Sequence, residues 1–320
     1  MSRENKQDIL LETGTNEIEI MEFTISNNTF GINVAKIREI MNSAEVKPMP
    51  HVHPAIEGVF KPRNTLITVI NLPQYLNMES EHESSKDLFI VANFNNMHIA
   101  FRVDTVEGID RISWQAIQKP DKTIYGGQEG IVTGLAEFEN RLITILDFEK
   151  IVADIAPETG IQLSEIDELG ERPRDERPIL IVEDSMLLSS MILEALHKAG
   201  YTNTEKKDNG KEAWDYLTSV KKECEEQNIP IREKVACMIT DIEMPQMDGH
   251  HLTKLTKTDQ FLKTIPVIIF SSLINDEMRI KGKEIGADEQ LSKPEIGHLV
   301  SVIDHLLERS SFQMPGDFEQ

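Results

Sequence analysis

The spacing of apolar residues divides the chain into two parts that predict different structures. Up to residue 156, short runs rich in Ile, Val, Phe and Thr alternate with polar turns, which is typical of closely spaced antiparallel strands. We predict one short helix at Val34–Met41, and strands at Ile18–Ile25, Thr29–Val34, Leu66–Asn71, Leu88–Asn93, His98–Val103 and Leu142–Leu146. The first part is therefore expected to be all-β, as one antiparallel barrel or a pair of barrels.

From residue 178 onwards, strand and helix patterns alternate five times. Continuous apolar runs such as Ile179–Val182 are typical of strands buried on both faces, and Ser185 can cap the following helix, which ends at Gly200. Further strands are predicted near Tyr201–Lys206, Val235–Thr240, Val267–Phe270 and Glu289–Leu291, with helices near Gly210–Glu225, from Gly249, and near Glu277–Ile285 and Glu295–Leu307. Such alternation predicts an α/β fold, a parallel sheet doubly wound with helices on both faces.

A stretch rich in charge, Pro and Gly separates the two parts. Within it, Ser164 can cap a single acidic turn ending near Gly170, with Leu163, Ile166 and Leu169 on one side. Weak docking of this turn stays open, but the composition favours a solvated linker. We therefore expect an N-terminal tail at 1–16, a β unit at 17–156, an acidic linker at 157–177, an α/β unit at 178–309 and a flexible tail at 310–320.

Composition limits the partners that the chain can bind. Its formal net charge of −22 argues against nucleic acid and against an anionic membrane surface. No apolar run approaches the roughly 18 residues of a membrane-spanning helix, and the first residues do not resemble a signal peptide. The two cysteines, Cys224 and Cys237, form neither a disulfide framework nor a CxxC site. We therefore expect a cytoplasmic protein that binds other proteins and does not insert into a membrane.

Polar residues follow the predicted parallel strands at the points where the strands end. Glu183 and Asp184 follow the first strand, Asp241 the third, Ser271 the fourth and Lys293 the fifth. Because ligands of such sheets bind at the carboxyl ends of the strands, we expect these groups to share one site. Three adjacent carboxylates need a neutralising cation, and Mg²⁺ prefers oxygen ligands of this kind. Asp241 is the candidate nucleophile for a phosphoryl group, and Lys293 is expected to pair with it at rest.

The motifs around these residues resemble response-regulator receiver domains, which have a flavodoxin-like fold. The resemblance covers residues 178–309 and rests on Ile181-Val-Glu-Asp-Ser185, Asp241-Ile-Glu-Met-Pro-Gln-Met-Asp-Gly249, Phe270-Ser-Ser272 and Lys293-Pro294. It implies that Asp241 is the phosphoacceptor and that Lys293 and Ser271 contact the phosphoryl group. It also implies that Asp184 and Asp241 bind Mg²⁺ directly, Glu183 binds it through water, and the Glu243 main-chain carbonyl completes the site.

One position departs from the receiver pattern. Gln290 stands three residues before Lys293, where the family usually has an aromatic switch residue. A signal carried by a rotating ring is therefore not expected on that face of the receiver.

Residues 17–156 are similar to the chemotaxis coupling protein CheW. The similarity rests on the segments Phe30–Ile40, Val59–Leu72, Phe101–Asp104 and Leu142–Phe148. It implies two small barrels that bridge chemoreceptors and a histidine kinase, with Ile37, Glu39 and Arg63 at receptor-facing positions. A core role for Ile37, and solvated surface charges at Glu39 and Arg63, remain open. The usual Arg-Gly pair is Arg63-Asn64 here, and Asn also tolerates a left-handed turn.

A coupling domain followed by a receiver is the arrangement of CheV-type chemotaxis proteins. The resemblance implies an adaptor, not an enzyme, that joins methyl-accepting chemoreceptors to a CheA-type histidine kinase and is recruited to receptor arrays at the membrane. Phosphorylation of Asp241 would add about −1.5 to −2 charge and regulate the coupling. One alternative is a phosphate sink that drains the kinase. A less favoured one is an aspartyl-phosphate-forming hydrolase, which would need a second Asp where Glu243 stands.

Overall fold

The structure, a computed structural model, describes residues 17–79, 86–94, 97–113, 116–118, 120, 130–138, 141–157, 160–274 and 276–311. These residues divide into two compact units, Glu17–Gly160 and the chain from Ile161 onwards. The predicted N-terminal tail, residues 95–96 and 139–140 in polar turns between strands, and residues 312–320 lie outside the described ranges. Within those ranges, no helix is both long and apolar enough to cross a lipid bilayer.

The regular secondary structure described in the first unit is almost entirely strand, which confirms the predicted all-β class. Its elements are β1 (Glu17–Ile25), β2 (Asn28–Asn33), β3 (Ile37–Asn42), β4 (Ile56–Phe60), β5 (Ile67–Asn71), α1 (Leu72–Tyr75), β6 (Leu88–Phe94), β7 (Met97–Val103), β8 (Thr105–Ser113), β9 (Ile117–Gln118), β10 (Val132–Phe138), β11 (Arg141–Leu146) and α2 (Phe148–Ile155). They form a six-stranded sheet, β8-β1-β2-β11-β10-β9, and a five-stranded sheet, β3-β6-β7-β5-β4. Each sheet contains one parallel pair, β2 with β11 and β5 with β7.

Aromatic side chains join the two sheets through helix α2. The Phe148 ring centroid lies 6.1 Å from that of Phe23 in β1 and 4.6 Å from that of Phe101 in β7. Asp147 caps α2 by accepting a hydrogen bond from the Lys150 N–H at 2.9 Å. Helix α2 therefore places its apolar face in a core that the two sheets share.

The helix predicted at Val34–Met41 is wrong. The structure has one 3₁₀ turn, Val34–Lys36, which Asn33 caps by accepting a hydrogen bond from the Ala35 N–H, followed by strand β3. The spacing of Ile37 and Ile40 also fits a helix, but Ile40 is 41% exposed, so the spacing does not mark a buried face. Pairing of β3 with β6 decides the conformation instead.

The second unit has the predicted α/β fold. Its elements are α3 (Ser164–Asp167), β12 (Ile179–Val182), α4 (Met186–Lys198), β13 (Thr204–Lys207), α5 (Gly210–Gln227), β14 (Cys237–Thr240), α6 (Gly249–Thr258), β15 (Val267–Ser271), α7 (Asp276–Glu284), β16 (Glu289–Ser292) and α8 (Ile296–Ser311). The strands form one parallel sheet in the order β13-β12-β14-β15-β16. Alternate residues of β12 enter two different cores, Ile179 and Ile181 on one face of the sheet and Leu180 and Val182 on the other.

The acidic stretch before β12 is packed, although its composition predicts a solvated linker. Ile161 and Ile166 are buried in the core that also contains Ile296 and Leu299 of α8. Ser164 does not cap the short helix α3, because the N-cap position is occupied by Leu163 and has no side-chain hydrogen bond. The few apolar side chains of the acidic stretch are therefore enough to dock it on the core of the second unit. At the other end of the unit, α8 continues to Ser311, past the predicted start of the flexible tail.

Candidate functional site

Three carboxylates lie together at the carboxyl edge of the parallel sheet. Glu183 and Asp184 follow β12, and Asp241 follows the neighbouring strand β14, whose register places Val182 beside Thr240. The Asp241 N–H donates to the Val182 carbonyl at 3.0 Å, which extends this pairing up to the acidic residues. As a result, carboxylate oxygens of all three residues lie within 4.8 Å of one another. The predicted convergence of these residues is thus seen in the structure.

One buried ammonium group serves two of these carboxylates. Lys293, directly after β16, donates from Nζ to Glu183 Oε2 at 2.8 Å and to Asp241 Oδ2 at 3.0 Å. Lys293 and Glu183 are each 2% exposed, and Asp241 is 6% exposed. The contact with Asp241 agrees with the expectation for the resting site. The equally close contact with Glu183 is not evident from the sequence, because no local motif links residues 110 positions apart.

The site has more negative charge than Lys293 can neutralise. Burial raises the pKa of Glu183 to about 8; the Lys293 ammonium opposes this rise, and the Asp241 and Asp184 carboxylates add to it. Among the described residues, these three form the only group of His, Cys, Asp or Glu side chains close enough to share a metal ion. A hard divalent cation would remove the repulsion, and carboxylate oxygens are the ligands that Mg²⁺ prefers. The donor set therefore fits Mg²⁺.

The loop after β14 is shaped to hold Asp241 in place. Asp241 Oδ1 accepts a hydrogen bond from the Ile242 N–H at 2.6 Å, and the Gly249 N–H closes the loop by donating to the Ile242 carbonyl at 3.0 Å. A side chain at residue 249 would place its Cβ 1.8 Å from the Asp241 carbonyl oxygen, so only glycine fits there. Asp248 caps α6 by accepting from the His251 N–H. The Asp-Gly pair of the motif is thus structural.

The two other predicted residues of the site lie on neighbouring segments. Ser271 ends β15, its hydroxyl oxygen accepts from the Leu273 N–H at 3.4 Å, and its carbonyl accepts from the Lys293 N–H at 3.2 Å. Ser271 is thus next to Lys293 at the same edge of the sheet. Glu243 lies in the loop two residues after Asp241, between β14 and α6.

Gln290 connects strand β16 to helix α7. Its Nε2 donates to the Arg279 carbonyl at 2.8 Å, and Arg279 Nη1 donates to the Gln290 carbonyl at 3.3 Å. A Cβ on Gly282 would come within 2.2 Å of Gln290 Oε1, so the glycine allows α7 to approach this side chain. The residue at the position of the family's aromatic switch is therefore held by main-chain hydrogen bonds.

The three positions predicted to face receptors lie on the five-stranded sheet of the first unit. Ile37 and Glu39 are in β3, one edge strand of this sheet, on either side of a register shift against β6. Ile37 packs partly against the core, and Glu39 is exposed, with one carboxylate oxygen 3.9 Å from Arg38 Nε. Arg63 follows β4, the other edge strand, and is exposed. The three residues therefore do not form one continuous row along a strand.

The left-handed residue in the loop after β4 is Arg63, with φ of 59°. From the resemblance to CheW, the left-handed turn is expected at Asn64, because Asn stands there in place of the family's glycine. A positive φ is uncommon for a residue with a long side chain, so the loop holds Arg63 in a conformation that costs free energy. The turn is present, but it is one residue earlier than expected.

Comparison with known proteins assigns both units. Residues 19–156 match the model of the CheW-like domain, and residues 179–304 match that of the response regulator receiver domain. Chemotaxis protein CheV3 of Helicobacter pylori is 28% identical over 307 residues, which cover 92% of this chain and 96% of that protein. Chemotaxis protein CheV2 of the same organism is 30% identical over 284 residues, with 83% and 86% covered. Chemotaxis protein CheW of Thermotoga maritima is 28% identical over 145 residues, 45% of this chain and 94% of its own length.

These matches confirm the predicted combination of domains. The two CheV proteins align along most of their length and across both units, whereas the CheW protein aligns with less than half of this chain. The order of domains, the parallel sheet with its acidic edge and the preceding β unit agree with this assignment. The chain belongs to the CheV family of chemotaxis proteins, adaptors in which a CheW-like coupling domain is followed by a phosphorylatable receiver domain.

Proposed function

We propose that this chain couples methyl-accepting chemoreceptors to a CheA-type histidine kinase, and that phosphorylation of Asp241 adjusts the coupling. The observation that carries the proposal is the buried site in which Lys293 contacts Glu183 and Asp241 with Asp184 alongside. Such a site stabilises a phosphoryl group on a carboxylate, and phosphoryl transfer depends mainly on positioning and charge neutralisation. The net charge of −22 favours protein partners over nucleic acid.

We assign the acceptor role to Asp241 and the metal site to its acidic neighbours. An Asp241 carboxylate oxygen attacks the phosphorus of the donor, the bond from phosphorus to the donor breaks, and the donor leaves with its electron pair. Asp184 and Asp241 would hold Mg²⁺ directly, Glu183 through water and Glu243 through its main-chain carbonyl. When bound, Mg²⁺ supplies positive charge against the phosphoryl oxygens.

Lys293 and Ser271 complete this site. The Lys293 ammonium, now shared by Glu183 and Asp241, would donate to a phosphoryl oxygen, and the Ser271 hydroxyl would donate to the same group. Attack of water on phosphorus then releases inorganic phosphate and restores the Asp241 carboxylate. The receiver therefore works as a switch with a finite lifetime.

Labelling with a small phosphodonor tests the acceptor assignment. With Mg²⁺ present, the wild-type chain should become phosphorylated and the Asp241→Asn variant should not. Asp215→Asn is a matched control, because Asp215 is an exposed aspartate of the same unit that pairs with Lys211 on α5. Labelling of Asp241→Asn at the wild-type level would refute the assignment.

Co-sedimentation with receptor and kinase assemblies tests the coupling. The full-length chain should co-sediment, and Arg63→Glu should weaken binding because it reverses the charge of an exposed loop residue. Arg174→Glu is the control, since Arg174 is an exposed arginine in the other unit, 3.4 Å from Glu176. If the wild-type chain stays in the supernatant, the adaptor proposal is wrong.

Kinase activity in the same assemblies separates regulation from a phosphate sink. Beryllofluoride mimics the phosphoryl group but drains no phosphate from the kinase. If it changes the kinase rate in the presence of this chain, phosphorylation regulates the coupling. If only true phosphorylation lowers the level of phosphorylated kinase, the chain is a sink.

A further inference from the structure

The segment before the receiver sheet is docked on the last helix of the receiver. We name residues 161–170 the strap. Two of its side chains, Ile161 and Ile166, are buried in the core that contains Ile296, Leu299 and Ile303 of α8, and Leu163 and Leu169 pack against the same core. The strap ends at Gly170, which has φ of 76°. Its docking buries few apolar side chains, so it is one of the less stable contacts of the unit.

A carboxylate of the strap caps helix α8. Glu165 Oε2 accepts a hydrogen bond from the Gly297 N–H at 3.0 Å, in the first turn of the helix. This N–H is one of those that a helix leaves without a main-chain partner, and the helix dipole favours a negative charge there. A Cβ on Gly297 would lie 3.2 Å from both Glu165 Cβ and Oε2, so the glycine leaves room for the carboxylate. A second contact holds the strap to helix α4, where Lys198 Nζ donates to an Asp167 carboxylate oxygen at 2.7 Å.

The capped turn is close in sequence to the phosphorylation site. Gly297 is four residues after Lys293, whose ammonium contacts Glu183 and Asp241. The intervening turn is tight, since the Glu295 N–H donates to the Ser292 carbonyl at 3.0 Å. Ile296 is fully buried beside the strap. Close packing transmits small shifts, so a change in the backbone at Lys293 would be passed on to the N–H that Glu165 caps.

We propose that the strap is a clasp that senses the phosphorylation state of Asp241. It is docked on α8 while Lys293 contacts Glu183 and Asp241, and it is released when a phosphoryl group on Asp241 draws the ammonium away from Glu183. Release is expected because the strap is held by few contacts: the hydrogen bond from Gly297 to Glu165, the contacts of Lys198 with Asp167 and Leu163, and a few buried apolar side chains. The inference rests on the proposed function, since it requires phosphorylation of Asp241.

Release would change the reach of the chain between the coupling domain and the receiver. The strap directly follows the first unit, which ends at Gly160. Ten freed residues add up to roughly 33–36 Å of chain at full extension. Phosphorylation would thereby change the tether between the two domains without a rotating aromatic switch, which this receiver lacks at Gln290.

Hydrogen exchange of the full-length chain tests the clasp. Amides of the strap should exchange at least roughly tenfold faster when beryllofluoride and Mg²⁺ are added, because docking protects them. Helix α5, whose buried side chains pack in the other core of the unit, should be unchanged, and so should the strap of Asp241→Asn. Unchanged or slower exchange of the strap in a chain that is labelled by a phosphodonor would overturn the clasp alone. Failure of labelling would overturn the proposed function and the clasp together.

Substitutions at Glu165 and Gly297, the hydrogen-bonded pair that joins the strap to α8, provide a second test of the clasp. Glu165→Ala should speed exchange of the strap without beryllofluoride and, because coupling is reciprocal, tighten beryllofluoride binding by roughly two- to tenfold. Glu168→Ala removes an exposed carboxylate from the same strap and should change neither quantity. Gly297→Ala keeps Glu165 but crowds it, and should act in the same direction as Glu165→Ala. Wild-type affinity for beryllofluoride in both Glu165→Ala and Gly297→Ala would refute the clasp.

Discussion

Each unit contains a cation that serves two carboxylates, but more negative charge is left over at one of the two sites than at the other. In the coupling domain, Arg102 donates from Nε and Nη2 to the two oxygens of Glu57, each at 2.7 Å, and from Nη1 to Asp87 at 3.1 Å. In the receiver, Lys293 reaches Glu183 and Asp241 with a single ammonium group, and a third carboxylate, Asp184, lies beside them.

The difference shows how a structural ion pair is distinguished from a reactive site. The guanidinium of Arg102 matches its carboxylates in geometry, and its ion pairs connect β7 to β4 and to the start of β6. Lys293 is a point charge among three carboxylates, which leaves a formal charge of about −2 when all are ionised. Arg102 with its two carboxylates leaves a formal charge of about −1, and Glu57 is partly exposed to water, whereas the receiver site has the larger excess, which a divalent cation would neutralise.

The largest effect on stability is expected for Lys293→Met. This change keeps much of the side-chain volume but leaves buried carboxylates without their cation, so the free energy of unfolding of the receiver should fall by about 3–5 kcal/mol. The proposed Mg²⁺ ion would bind the same carboxylates and should restore most of the loss, because a ligand of the folded state stabilises it by mass action. Denaturant unfolding with and without millimolar Mg²⁺ measures both effects. If Mg²⁺ gave no more stability to Lys293→Met than to Asp241→Asn, the charge comparison would fail.

Much of the receiver site could be predicted from the sequence because its fold obeys a simple rule. Parallel strands end at one edge of the sheet, so residues after Val182, Thr240 and Ser292 must meet there. The Glu183 to Lys293 hydrogen bond could not be predicted, since it depends on side-chain conformations at strands that are not adjacent. Docking of the stretch with Ile161 and Ile166 was only the less favoured alternative, because the charged residues around these two apolar positions favour a solvated linker.

The coupling domain was harder to predict because several of its strands are only half buried. Strand β8 has few buried residues, so its apolar spacing carries almost no signal, and its conformation depends on pairing with β1. The long-range partners of Arg102 follow from the register of β4, β6 and β7, which local patterns do not specify. Glu39 and Arg63 were identified through family resemblance, and their roles stay predictions.

A smaller loss of stability, which Mg²⁺ does not restore, is expected for Arg102→Met. The change leaves Glu57 and Asp87 without their cation and removes a guanidinium that lies 5.0 Å from the Phe89 ring centroid. We expect a loss of about 2–4 kcal/mol, less than at Lys293, because Glu57 is partly exposed and water can solvate it. Mg²⁺ should not restore this stability, which unfolding of the coupling domain would show. Rescue by Mg²⁺ equal to that of Lys293→Met would mean that the two sites do not differ as argued.

The smallest effect is expected at Glu22, a buried carboxylate of the coupling domain. Burial raises the pKa of Glu22 to about 7 and the neighbouring Asp110 adds to the rise, while Arg141, whose Nη1 lies 2.7 Å from Glu22 Oε2, opposes it. Because the folded chain keeps this proton and the unfolded chain releases it near the usual pKa of 4.5, the free energy of unfolding should fall as the pH rises from about 4.5 to 7.

Glu22→Gln should remove this slope, because an amide does not ionise. The change in slope corresponds to on the order of 1–2 kcal/mol across the window, given about 1.4 kcal/mol per unit of pKa and partial compensation by the exposed Arg141. Glu19→Gln is the control, since Glu19 lies on the same strand and pairs with Arg111 at 2.8 Å. Denaturant unfolding at several pH values measures the slope. Suppose instead that Glu22→Gln and the wild type show the same dependence of the free energy of unfolding on pH. Arg141 alone would then keep the buried Glu22 carboxylate ionised. Burial would not by itself explain why the receiver carboxylates, which share one lysine, carry excess charge.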